Sequence, residues 1–169
     1  MINSEASKLL ETCKLELDNI KLLLESLGEA SNPVPYIQRY ALIRATGAIE
    51  TSFKKIIADK VDDGGNLQIK QFIERKVRNC SSNPKLSIIE NMLTDFDVRW
   101  QKKFNELLSL EDKPKLKGSL SKLVKDRNEF AHGGTPDVGI QETMEYFNDG
   151  IYVLELLDKV VNYNYDEES

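Results

Sequence analysis

The residues of this sequence best suited to chemistry are Arg127 and His132, which lie in the segment KDRNEFAHGG at positions 125–134. His132 is the only histidine among the 169 residues. A histidine side chain can accept and donate protons near neutral pH. An arginine can hold a phosphate through two parallel hydrogen bonds. The two residue types together favour proton transfer at a phosphate or a similar anion.

The apolar spacing around Arg127 predicts a helix. Its apolar residues recur on one stripe, at Leu116, Leu120, Leu123, Val124, Phe130 and Ala131. Arg127 falls near the centre of that stripe, where an unpaired charge would cost several kcal/mol. We therefore expect Arg127 to be paired or to face a polar cavity.

The end of this helix is predicted at His132, because Gly133 and Gly134 follow and glycine is the usual residue just past a helix end. Asn128 lies four residues earlier, on the same face as His132, and can contact it. Arg127 and His132 diverge by about 140° around the axis and by roughly 7.5 Å along it. A single site that uses both residues therefore needs a further structural element to complete it. A second copy of the helix, related by a two-fold axis, would be such an element.

Composition predicts one soluble domain over residues 1–169, with 40% hydrophobic and 30% charged residues. The net charge of −5 excludes a protein that coats nucleic acid through bulk positive charge. Cys13 and Cys80 are far apart and there is one histidine, so we expect free thiols, no metal site and no cofactor. The N-terminus does not resemble a signal peptide and no 18-residue apolar run occurs, which predicts a cytoplasmic protein without a membrane partner.

Helical periodicity predicts an all-α fold, a bundle of long helices with shorter ones inserted between the second helix and the motif helix. The predicted helices run from Ser4 or Ser7 as the cap to about Leu27, then over Pro35–Lys60, Leu67–Asn79, Lys85–Leu93, Val98–Leu108 with Asp97 as the cap, the motif helix, and Asp137–Val161. We expect residues 162–169 to be a frayed acidic tail.

Three of these helices carry further expectations. The first has a heptad seam, which fits either packing along the bundle or a dimerising contact, at Leu10, Cys13, Leu17, Ile20, Leu24 and Leu27. The third is expected to turn Ile69, Phe72, Ile73 and Val77 inward and Lys70, Arg75, Lys76 and Arg78 outward, as a solvated face or a phosphate-backbone surface. Trp100 and Phe104 are expected in packing rather than in base stacking.

The second helix holds Arg44 on a largely apolar face, in line with Ile37, Tyr40, Ala41 and Ala48. Glu50 lies on a different face of this helix by wheel arithmetic. It can still reach a partner if the helix lies between two neighbours.

The motif also resembles a known family. The stretch RNEFAH at positions 127–132 fits Arg-x4-His, with asparagine directly after arginine and Ala-His-Gly at the end. This resembles the HEPN superfamily, and most closely its RiboL-PSP-HEPN or MAE-type branch. The segment AIETSFK at positions 48–54 is similar to the second-helix signature of that branch, and FDVRW at positions 96–100 matches its inserted piece.

The resemblance implies a metal-independent endoribonuclease that acts as a homodimer. By the same resemblance, Arg127 and His132 would be the catalytic pair, Asn128 would orient the histidine, and Glu50 would be the acidic partner from the second helix. We also expect RNA contacts from Arg44, on periodicity alone, and from Lys54 and Lys125. RNA cleavage without metal needs a base for the 2′-hydroxyl and an acid for the leaving oxygen, and a dimer supplies two histidines.

Three interpretations remain open at this stage. Arg127 and Glu50 could simply hold the bundle together, with His132 as a helix cap. The chain could be a catalytically silent HEPN adaptor or nucleotide-binding accessory module. The complete arginine, asparagine and histidine positions favour the third interpretation, a ribonuclease with a toxin–antitoxin, abortive-infection or other defence role and a cognate antitoxin or defence partner.

Overall fold

Helices make up most of the protein in the computed structural model, which describes residues 1–28 and 31–165. They are α1 (Ser4–Leu27), α2 (Val34–Asp62), α3 (Leu67–Ile73), α4 (Leu86–Phe96), α5 (Val98–Ser109), α6 (Lys113–Ala131) and α7 (Ile140–Val161). A π-helical turn over Glu74–Arg78 continues α3. The described ranges contain no strand, so the predicted all-α class is confirmed.

The four long helices α1, α2, α6 and α7 form the bundle, and α2 contacts each of the other three. Their large apolar side chains are fully buried in a shared core, for example Leu17, Leu42, Phe53, Leu120 and Phe147. The shorter helices α3, α4 and α5 are inserted between α2 and α6, as predicted. This arrangement leaves α2 between neighbours on several sides, which is the condition under which Glu50 can reach a partner.

The heptad seam of α1 packs along the bundle. Five of its six members are buried, and only Leu27 is exposed, at 37%. The predicted caps Ser4 and Ser7 were wrong, because Asn3 caps the helix by accepting a hydrogen bond from the Ala6 N–H at 2.9 Å. Asparagine is as good an N-cap as serine, so local sequence does not separate them.

Helix α5 follows its prediction closely. Asp97 caps it by accepting a hydrogen bond from the Arg99 N–H at 2.8 Å. Trp100 and Phe104 are buried in the core, which confirms that they pack rather than stack on bases. Helix α7 begins later than predicted, at Ile140 instead of Asp137.

The prediction for the third helix was right in part. Ile73 and Val77 are buried and Lys70, Arg75 and Lys76 are exposed, as expected. Ile69 and Phe72, which were expected to face inward, are 42% and 56% exposed. Arg78, which was expected to face outward, instead binds Asp59 at 2.7 Å and Asp62 at 2.6 Å on α2. The π-helical turn inserts extra chain before Arg78, which rotates it by about a quarter turn relative to a continuous α-helix.

The first part of the predicted tail lies against the bundle. The Asn162 side chain donates to the Asp158 carbonyl at 2.9 Å, and the Tyr165 hydroxyl donates to the Val160 carbonyl at 3.0 Å. Residues 166–169, the rest of the segment expected to fray, lie outside the described residues.

Candidate active site at the contact between α2 and α6

Arg127 lies in α6 and its guanidinium is paired, as the apolar spacing around it required. Its Nη2 donates to Glu50 Oε2 at 3.3 Å and to Asn83 Oδ1 at 2.7 Å. The Arg127 side chain is 29% exposed and that of Glu50 is 23% exposed. The pair is therefore half-buried, enclosed enough for strong electrostatics and open enough for a ligand to approach.

Glu50 is held between two cations. Its second carboxylate oxygen, Oε1, accepts a hydrogen bond from Lys54 Nζ at 2.6 Å, one helical turn along α2. The Lys54 side chain is only 7% exposed and also donates to the Cys80 carbonyl. Lys54 was expected to contact RNA, but its ammonium is enclosed and already bound. Its contacts fix the position of Glu50.

The loop between the π-helical turn and α4 completes this cluster. Asn83 and Cys80 both belong to it, and its Pro84 is buried. Sequence reasoning interpreted this stretch only as a break between helices and did not identify Asn83. A polar residue beside a proline was a weak signal, because such residues are common in turns.

The end of α6 is closed by both glycines of the motif. His132 is the C-cap, Gly133 has φ +84° and donates to the Phe130 carbonyl at 3.0 Å, and Gly134 donates to the Glu129 carbonyl at 2.8 Å. This pair of hydrogen bonds is a Schellman motif. A Cβ on Gly134 would lie 2.6 Å from Glu129 Cγ. The helix end that carries His132 therefore needs glycine at both positions.

His132 and Arg127 point to different surroundings, as their spacing predicted. His132 is exposed, whereas Arg127 faces α2. Asn128 is half-buried, and its carbonyl accepts the His132 N–H at 3.0 Å. Within the described ranges, no side chain forms a hydrogen bond with the His132 imidazole. The ring is free to meet a substrate or a second protomer.

The other predicted RNA contacts lie apart from this cluster. Arg44 pairs with Glu16 on α1, with Nε to Oε2 at 2.8 Å, and its side chain is 42% exposed. The hydrogen bonds from Arg44 and Tyr40 lower the pKa of the Glu16 carboxyl. Lys125 is exposed on α6. The structure thus brings Arg127, Glu50 and Lys54 together and leaves Arg44 on the side of α2 that faces α1.

One titratable group of the motif was not anticipated. Asp126, directly before Arg127, is 7% exposed. Burial raises the pKa of its carboxyl, and the positive charges of Lys122 and Lys125 oppose this only in part. A buried carboxyl of this kind favours its neutral form.

Both cysteines are free thiols, with Cys13 buried and Cys80 half-buried. Over residues 1–28 and 31–165, no group of three or more histidine, cysteine, aspartate or glutamate side chains is placed to hold a metal ion. No helix in the same ranges is long and apolar enough to cross a membrane.

The family relationship follows from a match to the sequence model of the RiboL-PSP-HEPN domain, which covers residues 6–163. The chain belongs to the RiboL-PSP-HEPN family. The resemblance inferred from the motif is thereby confirmed, and the matched region of this HEPN protein spans nearly all of α1 to α7. HEPN domains are generally associated with ribonuclease activity and RNA substrates. No curated protein and no solved structure matches the chain at a significant level.

Proposed function

We propose that this HEPN protein is a metal-independent endoribonuclease that acts as a homodimer, with a composite site built from Arg127 and His132 of both protomers. The observation that carries the proposal is that one helix holds both a half-buried arginine and, at its end, an exposed histidine. The protein has one histidine per chain, whereas RNA transesterification needs two proton transfers. Two protomers related by a two-fold axis supply two imidazoles.

The roles follow from the residue chemistry. One His132 imidazole removes the proton of the 2′-hydroxyl, and the 2′-oxygen forms a bond to phosphorus. The bond from phosphorus to the 5′-oxygen breaks, and the partner protomer's imidazolium gives the leaving oxygen its proton. The products are a 2′,3′-cyclic phosphate and a 5′-hydroxyl, and the two histidines have exchanged protonation states.

Arg127 is suited to stabilise the negative charge that develops on the phosphorus oxygens. Within the described ranges its hydrogen bonds use only Nη2, to Glu50 and Asn83. A guanidinium has five N–H donors in a fixed plane, so Nη1 and Nε remain for a phosphate. Glu50 and Asn83 hold the plane in place, which favours a preorganised electrostatic contact.

The charge of Glu50 is shared between Arg127 and Lys54, at 3.3 Å and 2.6 Å. The second cation weakens the hold of the carboxylate on the guanidinium. Arg127 therefore retains positive charge for a substrate, while Glu50 and Lys54 act as positioning residues. Asn128 is a candidate for orienting His132, and Lys125 is a candidate for contacting RNA. Arg44 is also a candidate for an RNA contact, but it lies apart from this cluster.

A second candidate function is a catalytically silent HEPN module, an adaptor or nucleotide-binding accessory to a partner enzyme. The Arg127–Glu50 contact favours this second function, because an ion pair between α2 and α6 can hold the bundle together without any catalytic role. His132 would then serve only as the cap of α6. We infer the ribonuclease because a purely structural ion pair does not require an exposed histidine five residues later on the same helix.

The testing experiment is incubation of the purified protein with a fluorescent single-stranded RNA in EDTA. We expect cleavage that persists in chelator and leaves a 2′,3′-cyclic phosphate, from a protein that light scattering shows to be a dimer. Loss of cleavage in EDTA, with recovery on adding a divalent cation, would contradict the metal-free mechanism. A dimer that cuts no RNA under any condition would contradict the ribonuclease proposal and favour the adaptor.

A cellular experiment addresses the proposed toxin–antitoxin, abortive-infection or other defence role. Induced expression should arrest growth with the intact motif and should not with Arg127→Ala. Growth arrest of equal strength from both forms would contradict a toxic ribonuclease activity.

A further inference from the structure

A second cluster of residues suited to RNA lies beside the motif, at the start of α2. A cavity of about 410 Å³ opens between Pro35, Gln38 and Arg39 of α2 and the segment 135–139 that follows the motif glycines. The segment enters the cavity wall three residues after His132. The volume lies within the range of small-ligand sites.

Arg39 is held at this cavity by aromatic rings instead of carboxylates. Its guanidinium carbon is 5.6 Å from the ring centroid of Tyr36 and 5.6 Å from that of Phe130. Both distances are typical of cation–π contacts. Phe130 belongs to the motif and precedes His132 by two residues, so Arg39 is tied directly to the helix end that carries the histidine.

Arg39 has no ion-pair partner among the described residues, because none of their carboxylates lies within ion-pair distance of its guanidinium. A cation–π contact does not use up the hydrogen-bond donors of a guanidinium, which can still bind an anion. Tyr36 beside it is 70% exposed. An exposed aromatic face next to a free guanidinium is the pairing with which single-stranded RNA is bound, by base stacking and phosphate contact.

We propose that Arg39 and Tyr36 form a binding subsite for one nucleotide of single-stranded RNA that flanks the scissile phosphate. The proposal rests on the ribonuclease function in assigning the scissile position. It assigns the ligand from Arg39, which lines the cavity, and from Tyr36, which lies beside Arg39 at the edge of α2 outside the cavity lining. Arg39 binds the phosphate of that nucleotide, and Tyr36 stacks on its base. Asp137 also lines the cavity, and its negative charge opposes a phosphate there, so the phosphate contact depends on Arg39.

The test measures RNA binding without cleavage, by fluorescence anisotropy of a labelled single-stranded RNA in a His132→Ala background. Tyr36→Ala should weaken binding at least about fivefold, the lower range for loss of one stacked base. Arg39→Gln should weaken binding and should reduce the slope of log affinity against log salt by about one. Arg39→Lys should restore the salt slope but not the full affinity.

Lys117→Gln is the matched control, because Lys117 is an exposed cation of α6 outside the motif. It should bind RNA as the parent does. Binding by Tyr36→Ala and Arg39→Gln equal to that of the parent would overturn the subsite, and so would a parent that binds no RNA. Dissociation of these variants into monomers on light scattering would also overturn it, since the face would then be an interface between protomers.

The subsite and the ribonuclease proposal fail separately. If the wild-type protein cleaves RNA while the two substitutions leave affinity unchanged, the subsite is wrong and the ribonuclease stands. If the wild-type protein cuts nothing while Arg39→Gln lowers RNA affinity, the subsite stands in a silent RNA-binding module.

Discussion

Arg127 lies closer to Asn83 than to Glu50, its charged partner, with Nη2 at 2.7 Å from Asn83 Oδ1 and at 3.3 Å from Glu50 Oε2. A neutral amide from a loop therefore makes the shorter contact with the motif arginine, and the carboxylate makes the longer one. Glu50 also accepts a hydrogen bond from Lys54. The position of the guanidinium thus depends on the loop that precedes α4 as well as on α2.

We predict that Asn83→Ala lowers RNA cleavage by about tenfold, because a guanidinium released from the loop loses the orientation that a phosphate contact needs. The free energy of unfolding should fall by about 1.5 to 3 kcal/mol, the usual cost of losing a hydrogen bond to a charged group. Cleavage kinetics and urea unfolding measure the two effects. Ser81→Ala is the control in the same loop, since Ser81 is exposed. Equal rates of cleavage by both variants would show that Asn83 does not position Arg127 for cleavage.

We predict that Gly134→Ala displaces the end of α6, because the new Cβ would lie 2.6 Å from Glu129 Cγ and 2.9 Å from its carbonyl oxygen. We expect a loss of about 1 to 3 kcal/mol in the free energy of unfolding and a larger relative loss of cleavage, since His132 is two residues away. Gly118→Ala is the control within α6, where an added Cβ meets open space. It should stabilise the protein by up to about 1 kcal/mol. If thermal unfolding shows that both variants are less stable than wild type, or that both are more stable, this prediction is wrong.

The contact between α2 and the π-helical turn predicts a dependence of stability on pH. Burial raises the pKa of the Asp59 carboxyl, but hydrogen bonds from Arg78, Asn3 and Lys55 outweigh burial and lower the pKa below its ordinary value. A pKa lowered by folding contributes stability above the unfolded pKa of about 3.9, and this contribution is lost as the pH falls through the folded pKa.

We therefore expect Arg78→Gln to lower the free energy of unfolding at neutral pH by about 1 to 3 kcal/mol and to flatten its decline in acid. Urea unfolding at neutral pH and at about pH 3 measures both effects. The control is Lys76→Gln, a substitution of an exposed cation in the same turn. Identical acid sensitivity of the two variants would show that the Arg78 contacts do not set the titration.

The two thiols should differ in reactivity. Burial raises the pKa of Cys13 to about 11, a value that the charge of Arg44 moderates only in part. Cys80 is half-buried. Because the thiolate is the reactive form, we predict that an aromatic disulfide reagent at about pH 8 modifies Cys80 at least tenfold faster than Cys13. The Cys80→Ser variant isolates Cys13, and equal rates for the two thiols would contradict the burial of α1 against α2.

The sequence predicted those parts of the fold that follow from regular periodicity and capping. The heptad seam of α1, the Asp97 cap and the burial of Phe104 are such features. The inward Arg78 could not be predicted, because no pattern in the sequence indicates a π-helical turn. Periodicity assumes one residue every 100°, and it fails wherever that rotation changes.

Within the candidate site, the sequence located the residues that lie on helices and missed the one in a loop. Glu50 was expected to reach a partner if α2 lay between neighbours, and it binds Arg127 there. Asn83 was not identified, because contacts between a loop and a helix depend on tertiary packing rather than on spacing. Arg39 was passed over for a related reason, since a cation–π contact with Phe130 leaves no periodic signal.

The proposed role of His132 is proton transfer in RNA cleavage, and the rate of cleavage by His132→Ala in EDTA tests this role most directly. His132 is exposed at the end of α6 and supports little packing, so the melting temperature should be unchanged. Lys117→Ala serves as the control. We predict that His132→Ala cleaves RNA at least about a hundredfold more slowly than wild type and Lys117→Ala. Cleavage by His132→Ala at the wild-type rate would contradict the account.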